Sequence, residues 1–312
     1  MKRSKKFLMA LLSVLTVGAF SVAVSACESQ DNGAKEEAGI NSPVDTDSEH
    51  GDNVDEMKNS QGLQYSISSD ESYYVVRGIG TCTDSELVIP SEYNGLPVKK
   101  IGQSAFEECS FLRKLIIPDS VTNIAAIAFL NCQSLMSVEI GTSVKSIGER
   151  AFANCFRLVE IYNKSMLEIK IGEHDNNGRI GYYAKAIYGE PYTSKLSKDK
   201  NGYVSYIDGT DKILLAYTGT ETNLILPEDI TELHRWAFYN YSFLTSVTIP
   251  DSVTKIGRDS FGDCDALISA TFKNPNGWKQ GERFVSSTDL ADPSTAAERL
   301  KNMTWDWTRT DN

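Results

Sequence analysis

The sequence predicts a β-rich solenoid of 23-residue repeats arranged in two blocks. Three observations carry that prediction. Ile101, Ile124 and Ile147 are spaced by 23, as are Phe106, Phe129 and Phe152, then Cys109, Cys132 and Cys155, then Leu112, Leu135 and Leu158. The same period returns in Leu233 to Ile256, Phe238 to Phe261, Tyr241 to Cys264 and Leu244 to Leu267. Between the two runs, Phe152 to Phe238 spans 86 residues, which is not a multiple of 23. Apolar columns that share one period in the 20s mean turns that bury their apolar faces only by stacking on their neighbours.

Residues 1–27 read as a targeting signal. Lys2, Arg3, Lys5 and Lys6 form a positive start, and Phe7 to Val24 is apolar with small residues interspersed. A signal accounts for this better than a membrane span, because small residues and a cysteine follow at once. Val24-Ser25-Ala26-Cys27 resembles the lipobox of bacterial lipoproteins, which implies cleavage before Cys27 and its diacylation; an ordinary secretory signal beside a chance cysteine is the plain alternative. Residues 28–61 read as a disordered acidic linker. They run from Glu28 through Asp31, Glu36 and Glu37 to Asp55 and Glu56, with only Lys35 and Lys58 opposing and no aromatic residue. Such a chain spans about 30 Å and serves as a tether. The whole chain carries a formal charge of -11, and no basic stripe of the kind nucleic acid requires interrupts it.

Each predicted turn has the same parts. Leu112, Leu115 and Ile117 suit a strand, and Pro118-Asp119-Ser120 turns the chain, the proline having no N–H for sheet pairing. Val121, Ile124, Phe129 and Cys132 then point inward. The later turn Leu244, Val247, Ile249, Pro250, Val253, Ile256, Phe261 and Cys264 repeats the scheme. These turns resemble the BspA-like leucine-rich repeat family of bacterial and some protist surface proteins. The resemblance rests on Ile-Pro-Asp-Ser-Val-Thr-x-Ile at 117–124 and 249–256, with Ala-Phe-x-x-Cys at 105–109 and 151–155. Ala125 stands where Gly102, Gly148 and Gly257 stand in other turns, and Tyr241 replaces the cysteine once. The resemblance covers about 84–162 and 222–273, under half of the chain. It implies a leucine-rich repeat solenoid and attachment to host, matrix or other cells.

The expected organisation is a signal at 1–27, the linker at 28–61, a hairpin with the first block at 62–162, an insertion at 163–202, a hairpin with the second block at 203–273, and a cap at 274–312. Tyr65 to Gly78 and Tyr203 to Gly219 each read as two strands about a polar turn, Asp208-Gly209 marking the second. The insertion holds the turn cluster His174 to Gly178, and Tyr182 to Tyr188 reads as a short helix. Thr295 to Met303 reads as another, followed by Trp305 and Trp307, which would shield the last turn.

Chemistry is sparse. The three histidines, His50, His174 and His234, have no metal spacing, and His234 is expected at a partly exposed loop position. Asp175 to Gly178 lacks the alternating ligands and closing glutamate of a calcium loop. No phosphate loop, zinc helix or nucleophile elbow appears, so no cofactor is expected and the chain reads as non-enzymatic. Cys109, Cys132, Cys155 and Cys264 are expected as buried thiols, since parallel stacking disfavours the disulfide dihedral; Cys82 falls outside the ladder. The solvent-facing strand positions are Lys114, Ile116, Ser137, Glu139, Glu160, Tyr162, Ser246, Thr248, Ser269 and Thr271, an exposed face suited to a protein partner. Tyr182 and Tyr183 offer aromatic faces that could stack on a glycan, or pack the insertion onto the coil. The expectation is a lipid-anchored surface protein that binds protein, with glycan capture as the alternative.

Overall fold

The structure, a computed structural model, describes residues 58–310. The signal, Cys27 and the linker as far as residue 57 lie outside the described residues. Ser60, which composition assigns to the linker, is buried; its N–H donates to the Val88 carbonyl at 3.0 Å and its Oγ accepts from Val88 N–H at 3.1 Å.

In the first block the repeat produces two stacks of strands. One runs through Glu86–Val88, Lys114–Ile117, Ser137–Ile140, Glu160–Asn163 and Ala186–Tyr188, all parallel, with Leu115 beside Val138 and Val138 beside Ile161. The other holds Leu96–Ile101 and the two-residue strands Asn123–Ile124 and Ser146–Ile147, also parallel. Inward side chains of both stacks meet in one core with Phe106, Phe129 and Phe152. These rings stack at 5.0 Å, within 12° of parallel. The turn behind them is laddered as well: Phe106 N–H donates to the Ala128 carbonyl and Phe129 N–H to that of Ala151. Every turn therefore satisfies its backbone against its neighbours, which lets a chain with short strands stay buried. Gly148 permits this closeness, since a Cβ there would lie 2.4 Å from the Ala126 nitrogen.

The hairpin Gln64–Ile67 with Tyr74–Gly78 opens the block by pairing in parallel with Leu96–Ile101. The second block repeats the plan. Tyr203–Asp208 and Asp211–Tyr217 form its hairpin, which pairs in parallel with Glu232–Leu233 and through it with Lys255–Ile256. Asn223–Ile225, Ser246–Ile249 and Ser269–Phe272 make the opposite stack. Among the described residues no sheet runs through both blocks. They meet instead through an apolar layer in which Met136 and Val159 pack with Val204, Tyr206, Ile213, Leu215 and Ala216.

The first half of the 163–202 insertion is a lengthened turn of the ladder. Ala186 pairs beside Glu160, 26 residues on, whereas Glu160 pairs beside Ser137, 23 residues back. Ile180 and Ala184 are buried in the block's core. The helix expected at Tyr182–Tyr188 is therefore a bend followed by the strand Ala186–Tyr188, because pairing with the preceding turn overrides local preference.

At the far end, helices Ser287–Ala291 and Pro293–Lys301 bury Leu290, Ala296, Ala297 and Leu300 against the last turn. Asp292 caps the longer one, accepting from Thr295 N–H at 2.8 Å, with Pro293 in the first turn. Trp307–Arg309 then pairs antiparallel with Lys255–Ile256 and covers the open sheet edge. Trp307 and Trp278 shield the last turn, whereas Trp305 points to solvent.

Among the described residues, Cys82, Cys109, Cys132, Cys155 and Cys264 are free and buried. Cys132 Sγ donates to the Phe106 carbonyl at 3.1 Å and Cys155 Sγ to that of Phe129 at 3.3 Å. Burial pushes both thiols up. Cys82, outside the 23-residue register, is buried in the same core.

Candidate functional site

The parallel strands of the first block present alternate side chains outward. Of the outward positions expected from sequence, Lys114, Ile116, Glu139, Ser246, Thr248 and Ser269 are partly exposed there or on the second block, and Thr271 is exposed. Tyr162 is half-buried. Glu160 and Ser137 correct the expectation. Glu160 is fully buried and Ser137 is 9 % exposed, because the second half of the insertion folds across them. Glu160 accepts from Tyr192 Oη at 2.8 Å, Ser194 Oγ at 2.7 Å and Lys195 N–H at 2.7 Å. Burial, opposed in part by Ser194 and reinforced by the bond to Glu160, pushes the Tyr192 phenol well up.

This crossing creates a groove of about 380 Å³. One wall is the strand face, with Lys114, Ser137, Glu139 and Tyr162; the other is Tyr192, Leu196 and Lys198. Its aromatic end is built by Tyr162 stacked on Tyr192, centroids 4.6 Å apart and 15° from parallel. Lys164 pairs with Glu139 at 2.7 Å and lies over the Tyr162 ring at 4.9 Å. The hydrogen bond to Glu139 holds the Lys164 ammonium above its usual range. Beside the groove, Leu196–Lys198 is the outermost strand of its sheet.

Ser246 and Thr248 do not join this groove. They sit on the separate stack of the second block, where Ser246 Oγ donates to Asn223 Oδ1 at 2.7 Å. Tyr183 packs edge-on against Phe156 and Trp236, with centroids 5.5 and 6.2 Å away, at the seam between the blocks. Tyr182 remains exposed, edge-on to Tyr183. His174 is exposed and contacts Asp175 at 2.7 Å. His234 is buried rather than partly exposed, its Nδ1 donating to the Arg235 carbonyl at 2.8 Å. The Tyr192–Lys198 wall carries no repeat signal, and only the tyrosine clustering of the insertion hinted at it.

The sequence matches the profile of the BspA type leucine rich repeat region in six copies, over residues 82–174 and 214–294. The match extends beyond the segments recognisable by eye, into the lengthened turn and the cap. No curated protein matches the chain. Among solved structures it is similar to a leucine rich repeat protein of T. pallidum, with 21 % identity over 69 % of this chain and 83 % of that one and a TM-score of 0.33. A leucine rich cell surface protein from Faecalibacterium prausnitzii A2-165 shows 19 % identity over 68 % and 75 %, with a TM-score of 0.28. A leucine-rich repeat protein from Bacteroides capillosus ATCC 29799 shows 28 % identity over 41 % and 94 %, with a TM-score of 0.33. With the repeat profile matched over more than half of its 312 residues, the chain belongs to the BspA type leucine rich repeat family.

Proposed function

We propose that this chain is a lipid-anchored, non-enzymatic surface protein that binds a polypeptide partner through the groove of its first block. One observation supports the site: Lys114, Ser137, Glu139 and Tyr162, outward positions of successive turns, share a groove with the Tyr192–Lys198 segment. The groove offers both charge signs and an aromatic end, and it borders a sheet edge to which an extended peptide could add a strand. The anchor rests on the sequence around Cys27. Among the described residues no helix is long and apolar enough to cross a membrane.

Affinity capture from extracellular-matrix and bacterial-surface extracts tests the groove. The full chain should retain a protein that the double variant Lys114→Glu/Tyr162→Ala loses, with circular dichroism unchanged. Retention by that variant would move the site elsewhere. The exposed Tyr182 ring keeps the glycan reading open: sugar binding on an array, abolished by Tyr182→Ala and unaffected by the groove variant, would favour it. Metabolic labelling with an alkyne fatty acid tests the anchor, since label should appear on wild type and vanish from Cys27→Ala.

A further inference from the structure

A second cleft, of about 320 Å³, lies between the two blocks. Its first-block side carries Arg113 and Arg157 beside Gln133 and Ser134, and its second-block side carries Thr218 and Asn240. Among the described residues no carboxylate lines it. The Asp263 carboxylate that hydrogen-bonds Tyr239, itself a lining residue, is not part of the wall.

Neither arginine has an acidic partner among the described residues, although the chain as a whole is acidic. Arg157 Nη1 donates to Ser134 Oγ at 3.3 Å, and Nη2 donates to the carbonyls of Trp236 and of Ala237, the latter at 3.3 Å. Its Nε–H is buried with no acceptor. Burial, and then the neighbouring charge of Arg113, push the Arg157 guanidinium down to about 10. Two like charges held together against partial dehydration are unfavourable unless a counter-charge joins them. The planar guanidinium fork matches the oxygens of carboxylate, sulfate and phosphate. Neutral hydrogen-bonding side chains complete a wall that could hold the polar body of a small ligand.

We propose that the inter-block cleft binds a single oxyanion, carried by a small polar ligand, between Arg113 and Arg157. This site goes beyond the groove reading and does not depend on it. Titration calorimetry on the full chain with inorganic sulfate, inorganic phosphate and glucuronate tests it, with sodium chloride at matched ionic strength as control. Saturable binding of at least one probe is expected, weakened tenfold or more by Arg113→Gln and by Arg157→Gln. Tighter binding of glucuronate would assign a sugar carboxylate, and tighter binding of sulfate or phosphate an inorganic or ester oxyanion; both support the site. Arg113 is not tied to the second block by any hydrogen bond of its side chain, so its variant keeps the test decisive should Arg157→Gln fail to fold. Absence of saturable binding by all three probes, or equal binding by wild type and Arg113→Gln, would overturn the proposal.

Discussion

Tyr192 donates a 2.8 Å hydrogen bond to Glu160, a carboxylate wholly removed from solvent on the strand face of the first block. With Ser194 Oγ and Lys195 N–H it makes three donors on one carboxylate, all from the segment that crosses the sheet. Removing the acceptor strands those donors. Glu160→Ala should therefore destabilise the protein by about 3 kcal/mol and free the second wall of the groove. Urea unfolding measures the first effect, and amide exchange at 192–198 the second. A loss below about 1 kcal/mol, with exchange unchanged, would mean that the crossing segment is held by the apolar layer between the blocks instead.

Phe129 stacks between Phe106 and Phe152 at 5.0 Å on each side, and its turn is laddered to both neighbours. Phe129→Ala should cost roughly 3–5 kcal/mol. In a repeat fold the damage spreads first to adjoining turns. Faster exchange at 112–140 with little change at 244–260 is expected, because among the described residues the blocks share no sheet. Uniform acceleration would show that the layer around Tyr206 and Val159 couples them into one cooperative unit.

The ladder was legible because identical side-chain classes recur at one period and each column becomes a physical stack, as with the three phenylalanines. Outwardness was legible too, but not exposure. Strand alternation places Glu160 outside the coil correctly, yet a segment 32 residues later covers it. Contacts of that kind have no period. The strand at Ala186–Tyr188 escaped for a related reason: the lengthened turn shifts it by three residues from the ladder, which leaves local composition to suggest a helix. His234 illustrates the same limit, since its neighbours in space, Lys185 and Arg157, belong to the other block.

Among the described residues, five turns also hold two left-handed residues four apart, as at Ile127 and Asn131 and at Arg150 and Asn154. Asn131, Asn154 and Asn240 suit that conformation, and Asn154 Nδ2 donates to Asn131 Oδ1 at 2.9 Å. Ile127, with φ of 52°, does not, because a β-branched side chain crowds the backbone there. Ile127→Asn should raise stability by about 1 kcal/mol, read as a higher urea midpoint with unchanged slope. A lower midpoint would show that the half-buried isoleucine contributes more by packing than it loses by strain.

His234 supplies a pH dependence with a defined sign. Burial, together with the positive charges of Lys185, Arg157 and Arg235, pushes its imidazole down to about 3, against the opposing bond to the Arg235 carbonyl. The unfolded chain, with an ordinary histidine near 6.5, takes up the proton first as pH falls. Folded protein therefore binds fewer protons between about 6.5 and 3, and stability falls on acidification through that window by up to about 1.4 kcal/mol per pH unit from this group. His234→Gln removes the titration while leaving the carboxylates to titrate in both proteins. Urea unfolding at pH 7, 6, 5 and 4 should show the two stability curves converging as pH falls, the variant losing less per unit below about 6. Parallel curves would mean that His234 accepts a proton in the folded state, through an opening of the seam where the two blocks meet.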